Sequence, residues 1–281
     1  MKSSDSSPSD NAHDAKLALE EEQLNTSPTS KRQRLISSLQ PINPLRAGTW
    51  RQKAWRCFAL ILTLLFLYQV YLLFTVAYYS LFNPSSSAMM RNQARILATE
   101  EPPKFIRYSW VDYDNISDSM KRAVIASEDS NFLGHSGVEW SAIWDAYHYN
   151  RQQQAKGKAK RRGGSTITQQ LAKNLFLSHD RSYLRKGQEL IITYMLEGLM
   201  SKQRILELYL NVAQFGPTVF GVEQASQAYY KKPASRLSRT EAARLAALLP
   251  NPTRYSRQLN SRFINTRTHT ISQRMRLVTP P

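Results

Sequence analysis

The sequence predicts a mainly α-helical protein with one N-terminal membrane-spanning helix. Three observations predict it. One uncharged apolar run is long enough to cross a bilayer. Several later segments repeat apolar residues at helical spacing. Internal repeats of 20–50 residues are missing, and a single Cys among 281 residues leaves no intramolecular disulfide or Cys-rich zinc site to build a different architecture.

The elements follow in chain order. Residues 1–30 hold six acids and two Lys, and residues 31–56 hold seven Lys/Arg and no acid. The first 45 or so residues are rich in Ser, Pro and Asn and lack a sustained apolar period, so residues 1–53 read as a disordered tail. Within it, Ala15 to Leu24 is a short amphipathic piece. The stretch Cys57–Tyr79 (CFALILTLLFLYQVYLLFTVAYY) is twenty-three uncharged residues. At 1.5 Å per residue it suffices to cross a hydrocarbon core ~30 Å thick, and a transmembrane helix is expected over 54–80. A core helix would rarely run this long without a charge. A cleaved signal peptide would be shorter and would start nearer the N-terminus. Trp50, Trp55, Tyr78 and Tyr79 stand where interfacial aromatics belong. Arg46, Arg51, Lys53 and Arg56 precede the span and Ser80 to Met90 are uncharged, which predicts a cytoplasmic N-terminus.

A domain over 91–281 follows, with 29 Lys/Arg against 15 Asp/Glu. That excess, within a net charge of +17, calls for an anionic partner or surface. Helical spacing predicts helices over Ser119–Ala126, Tyr183–Met200 and Gln203–Leu210. Ser238 and Glu241 form a capping box ahead of a helix over Ala242–Leu249, which Pro250 stops. The basic stretch Tyr149–Gly164 has no apolar anchor and reads as a mobile loop. Thr266–Pro281 reads as a loose end.

Four clusters could carry chemistry. In the first, Glu128 and Asp129 precede Phe132, Gly134, His135 and Gly137. If the helix continues, Glu128 and Phe132 share a face, and a carboxylate beside an aromatic wall loses hydration, which suits it to proton transfer. The bland alternative is a solvated acidic pair at a helix end, and a structural role for His135 outweighs a catalytic or metal one. In the second, paired Gly163 and Gly164 let the backbone approach a ligand, and Ser165 is placed to cap a following helix. Thr166, Gln170 and Lys173 then fall on one face, offering a hydroxyl, an amide and an ammonium to sugar and phosphate oxygens. The third, Arg185, Lys186 and Glu189, reads most simply as a surface ion pair, with a cation pair for a diphosphate as the sharper reading. The fourth, Ile205 to Asn211, reads as core, with Phe215, Gly216 and Gly221 in a tight connection.

In this order the clusters resemble the family 51 glycosyltransferases, in their monofunctional, biosynthetic peptidoglycan glycosyltransferase form. The same unit is the transglycosylase half of bifunctional penicillin-binding proteins. The resemblance runs from about Phe105 to Ser256. It rests on Glu128-Asp129-x-x-Phe132-x-x-His135-x-Gly137, on Gly163 to Gln170 with Lys173 and Asn174, and on Arg185-Lys186-x-x-Glu189. No S-x-x-K, S-D-N or K-T-G set accompanies them, hence the monofunctional form.

The resemblance implies an all-α, lysozyme-like lobe with a small membrane-proximal jaw. It implies polymerisation of glycan strands from lipid II, with inversion to a β-1,4 linkage and release of undecaprenyl diphosphate. It makes Glu128 the general base and Glu189 the second catalytic acid residue near the diphosphate. Asp129, Phe132 and His135 would shape the pocket. Ser165, Thr166, Gln169, Gln170, Lys173 and Asn174 would bind phosphates and sugars, and Arg185 and Lys186 would neutralise the leaving diphosphate. The basic stretch before Gly163 would be a flexible segment over the cleft. The implied partners are lipid II, the growing lipid-linked glycan, the membrane and other cell-wall synthesis proteins, but not nucleic acid. The implied location is the bacterial inner membrane, single-pass, with a periplasmic catalytic domain. No cofactor is demanded; Glu189 and Asp129 are of a type that binds Mg2+ or Mn2+, without a spacing that requires either.

Three positions depart from the family pattern: Ser226 where Ala is usual, Lys231 where Gly is frequent, and Arg257 where Pro is common. Two rival readings remain. A membrane-anchored, lysozyme-like peptidoglycan hydrolase needs one acidic residue as proton donor, but gives Lys173, Arg185 and Lys186 no diphosphate to meet. A non-enzymatic binder of nucleic acid or anionic lipid would use the net charge alone.

Overall fold

The computed structural model describes residues 49–158, 163–177 and 182–281. The expected tail, including Ala15–Leu24, lies outside them except for its last residues. The chain divides into two units, residues 1–65 and 66–281. Helix α1 (Trp50–Leu81) begins in the first, whose described part is its exposed N-terminal half. The span expected over 54–80 falls inside this helix, which among the described residues is the one long and apolar enough to cross a membrane. Its most apolar stretch is almost wholly exposed, unlike a core helix.

The second unit is mainly helical, as a lysozyme-like lobe requires. After the last part of α1 come α2 (Ala88–Ala98), β1 (Arg107–Tyr108), α3 (Asp118–Glu128), α4 (Trp140–Ala155), α5 (Ile167–Phe176), α6 (Tyr183–Leu199) and α7 (Lys202–Val212). Then follow β2 (Val219–Phe220), α8 (Val222–Tyr230), α9 (Arg239–Ala246), the single turn α10 (Pro252–Tyr255) and α11 (Arg262–Arg274). Hydroxyl side chains start most of these helices. Ser87, Ser117, Ser182, Ser201 and Ser261 each accept a backbone N–H three residues on. Such a cap satisfies a donor that the helix itself cannot, worth about 1 kcal/mol. The capping box of Ser238 and Glu241 is present, but the helix it opens ends at Ala246, and turns carry the chain to Pro250.

Two packing groups hold the unit together. In one, α5 lies against α6 and α7, burying Ile167, Leu171, Ile192, Leu196, Leu206 and Tyr209. In the other, α9 lies against α3 and α11. Here several of the buried residues are small: Ala123 and Ala126 on α3, and Ala242, Ala243 and Ala246 on α9. Short side chains let helix backbones approach closely, and Ser127 Oγ reaches Ala246 O at 3.5 Å. The end of α3, where Glu128 stands, is therefore fixed by α9. Truncating a buried Leu such as Leu171 would cost about 2–5 kcal/mol.

The two short strands pair in parallel, Arg107 with Val219 and Tyr108 with Phe220. Gly221 after them has φ +78°, and a Cβ there would meet Asn211 O at 2.7 Å, so the tight connection expected around Gly216 and Gly221 is real and needs glycine.

The outer part of α1 belongs to the second unit and is packed into it. Leu72 and Val76 are buried with its core. Gln69 and Gln188 exchange two amide hydrogen bonds, at 2.9 and 3.1 Å. The Arg204 guanidinium donates to Tyr79 O at 3.1 and 3.0 Å and to Phe82 O at 2.9 Å, and is held by Glu207 at 2.6 Å.

Two expectations are corrected. The segment expected as a loop from Tyr149 is helical to Ala155, because it completes α4; residues 159–162 lie outside the described residues. The end expected as loose forms α11, because Ile264, Thr268, Ile271 and Met275 recur at helical spacing and are buried. Among the departures, Lys231 closes α8 with φ +58°, the left-handed conformation that glycine favours at a helix C-terminus. Ser226 is fully buried, and its hydroxyl has no hydrogen-bond partner among the described residues.

Candidate active site

A cleft of about 400 Å³ opens between the packing groups. Glu128, Ser165, Gln169, Gln170, Lys173, Arg185, Lys186 and Glu189 line it, with Leu249 and Pro250. Three of the four sequence clusters thus meet at one surface, and the cleft holds three cations against two carboxylates.

Glu128 is the last residue of α3, so Phe132 does not continue its helix face. Polar groups contact the Glu128 carboxylate. Ser127 Oγ donates to its Oε1 at 2.9 Å, and Gln170 Nε2 donates to its Oε2 at 2.9 Å. The Arg267 guanidinium stands 3.7 Å from Oε1 and donates to Ser127 Oγ.

The neighbouring Asp129 has a different task. It is buried, both its oxygens lie at 3.0–3.1 Å from His135 Nε2, and Oδ2 accepts the N–H of Ile167 at the start of α5 at 3.0 Å. His135 Nδ1 accepts from Gly137 N, which places the ring hydrogen on Nε2, toward Asp129. Phe132 is buried beneath, with Lys202 Nζ 4.6 Å from its ring centre. Lys202 also donates to His135 O and pairs with Glu197. Asp129, Phe132 and His135 therefore shape the loop after Glu128 without lining the cleft. Lys202 and Glu197, which brace that loop, were not singled out from the sequence.

The expected helix start is shifted by one. Thr166, not Ser165, caps α5, accepting from Gln169 N while the Gln169 side chain accepts from Thr166 N. The Thr166 hydroxyl donates to Gly137 O at 2.6 Å and is buried. Ser165 is thereby left to line the cleft, while Thr166 and the buried Asn174 do not. Gly164 meets the backbone of Ala142 and Ile143, so here the close approach of a glycine is to α4.

Glu189 is 3% exposed and is gripped by Arg185 Nη1 at 2.9 Å and by Lys186 Nζ. Burial lowers the pKa of Lys173 below the ordinary lysine value; Glu189 and Glu128 oppose that shift, and Arg185 and Lys186 add to it. A dehydrated ammonium beside two other cations gains much from a polyanion. For Mg2+ or Mn2+ the fit is poor. Glu189 is saturated by two cations and Asp129 by an imidazole and a backbone amide. The group Asp129, His135 and Glu139, whose ligand atoms lie within 4.8 Å of one another, is likewise bound up in hydrogen bonds, Glu139 with Asn131.

The family described as Transglycosylase matches residues 92–276, well over half of the chain. A biosynthetic peptidoglycan transglycosylase of Bordetella pertussis is 53% identical over 221 residues, 79% of this chain and 91% of that protein. A protein of the same name from Bordetella avium is 50% identical over 236 residues, 84% and 98% of the two chains, and one from Burkholderia pseudomallei is 51% identical over 207 residues. With the three motifs gathered on one cleft inside the matched region, the chain belongs to the transglycosylase family.

Proposed function

We propose that this protein polymerises peptidoglycan glycan strands from lipid II. The observation that carries the reading is that Glu128 and the three cations Lys173, Arg185 and Lys186 line one cleft. The acceptor sugar's 4-hydroxyl gives its proton to Glu128. Its oxygen bonds to the donor's anomeric carbon as the bond from that carbon to the diphosphate breaks, and the electron pair leaves with undecaprenyl diphosphate. A diphosphate is already a good leaving group, so deprotonation of the acceptor and neutralisation of the departing charge are the main tasks. An α-linked donor and a single displacement give a β-1,4 link. Glu189 holds Arg185 and Lys186 in place, and Ser165, Gln169 and Gln170 offer hydrogen bonds to the sugars.

A hydrolase reading is disfavoured, because a neutral glycan presents no charge to three cations. Both substrates carry polyprenyl tails, so an anchor such as α1 keeps the cleft at the bilayer surface. The basic residues before α1 support a cytoplasmic N-terminus, with the cleft on the outer side of the inner membrane. The test is polymerisation of labelled lipid II by the full chain in detergent. Glu128→Gln should bind substrate yet lose activity by roughly 10²–10⁴-fold. Near-normal product from that variant would remove the base assignment.

A further inference from the structure

Among the described residues Tyr209 is the largest fully buried side chain, and the chemistry above does not use its hydroxyl. It lies on α7, among residues that read as plain core. Its hydroxyl donates to Gln170 Oε1 at 2.9 Å. The same Gln170 donates through Nε2 to Glu128 Oε2 at 2.9 Å. Three residues from three helices thus form one chain of hydrogen bonds that ends on the proposed base.

An amide has two ends, and which one faces Glu128 matters. The Nε2 end stabilises a carboxylate; the Oε1 end would repel it. Gln170 is partly exposed and sits in the cleft, so nothing in its own side chain fixes the choice. A donor aimed at Oε1 from behind does. Burial, reinforced by Glu128 and Asp129, raises the Tyr209 pKa well above the ordinary tyrosine value, so it stays a donor throughout the working pH range. We propose that Tyr209 is a positioning residue for the transfer reaction, orienting the Gln170 amide so that its Nε2 end, and not its Oε1 end, faces Glu128 Oε2. This rests on the reading of Glu128 as the base.

Other charged groups near Glu128 are Asp129 beside it, Lys173 on α5 and Arg267 on α11. Glu189, Arg185 and Lys186 on α6 share the cleft, and α9 presents Ala246 O to the adjoining Ser127. Tyr209→Phe changes none of these and keeps the ring in the core. Without the hydroxyl the amide can turn over. The carboxylate then loses a donor, its proton affinity rises, and a base that is protonated does not work.

The experiment measures lipid II polymerisation against pH for wild type, Tyr209→Phe, Gln170→Leu, the double variant and Glu128→Gln, with thermal unfolding as a folding control. The expected result for Tyr209→Phe is a kcat lower by roughly tenfold, a KM close to wild type, and an acid limb moved up by about one pH unit. Gln170→Leu should show the same displaced limb, and adding Tyr209→Phe to it should change nothing further. An acid limb unmoved in Tyr209→Phe, or fully additive losses in the double variant, overturns the inference. If Tyr209→Phe does not fold, the limb of Gln170→Leu decides in the same way. Activity retained by Glu128→Gln would instead sink the base assignment itself, so the two failures are separable.

Discussion

Glu128 and Glu189 line the same cleft, yet one is held by hydrogen-bond donors and the other by two formal cations. Glu128 touches a hydroxyl and an amide, with a guanidinium at 3.7 Å. Glu189 is closed off by Arg185 and Lys186. A carboxylate in the first setting meets no cation closer than 3.7 Å among the described residues. One in the second is engaged by two cations at once. On the proposed reading, Glu128 takes the proton and Glu189 is the frame on which the diphosphate-binding charges are mounted.

The sharpest way to break that comparison is to neutralise each acid in turn. Glu128→Gln should suffer most, as above. Glu189→Gln should lose roughly 10–100-fold in kcat/KM through misplaced cations, while the acid limb of its pH profile stays put. Equal losses with a displaced limb at Glu189 would reverse the two roles. Next in size is Arg185→Ala, expected to weaken inhibition by inorganic pyrophosphate roughly tenfold or more, since a charge-assisted bond is lost. Lys186→Ala should cost only a few-fold, because its side chain is 47% exposed and the solvent screens it.

Lys173 gives a smaller, pH-linked effect. Its pKa is lowered in the free cleft by burial, and a bound diphosphate should raise it again. Between those two values binding takes up a proton, so pyrophosphate affinity should fall as pH rises through that window and be pH-independent below it. Calorimetry in buffers of different ionisation enthalpy reads the uptake, and Lys173→Met should abolish it. Asp129→Asn sharpens the contrast from outside the cleft. Placing an amide donor against the Ile167 N–H or His135 should cost about 1–3 kcal/mol of stability, seen in thermal unfolding.

Much of this was legible in the sequence. The apolar run, the helical spacing after Tyr183 and the Ser238 capping box were local signals, and local signals survive folding. The three polar clusters were legible as candidates, though their meeting at one cleft depends on packing between helices far apart in the chain. What escaped was set by burial. Thr166 displaces Ser165 as cap because its hydroxyl has Gly137 O to reach. The His135 loop leans on Lys202 and Glu197, about seventy residues on. The C-terminal helix hid because its apolar positions are few among Arg, Thr and His, so the Arg267 contact to Glu128 could not be read from composition.

The Arg204 clasp on the last carbonyls of α1 has a mechanical meaning. A tether with slack would let the catalytic unit drift in height and tilt. A splice does not. With Tyr79 and Phe82 bolted to α7, whatever sets the depth of that last stretch of α1 also sets the height of the cleft. On the proposed function, substrate headgroups would then meet the enzyme at one level, chosen by a helix and not by diffusion.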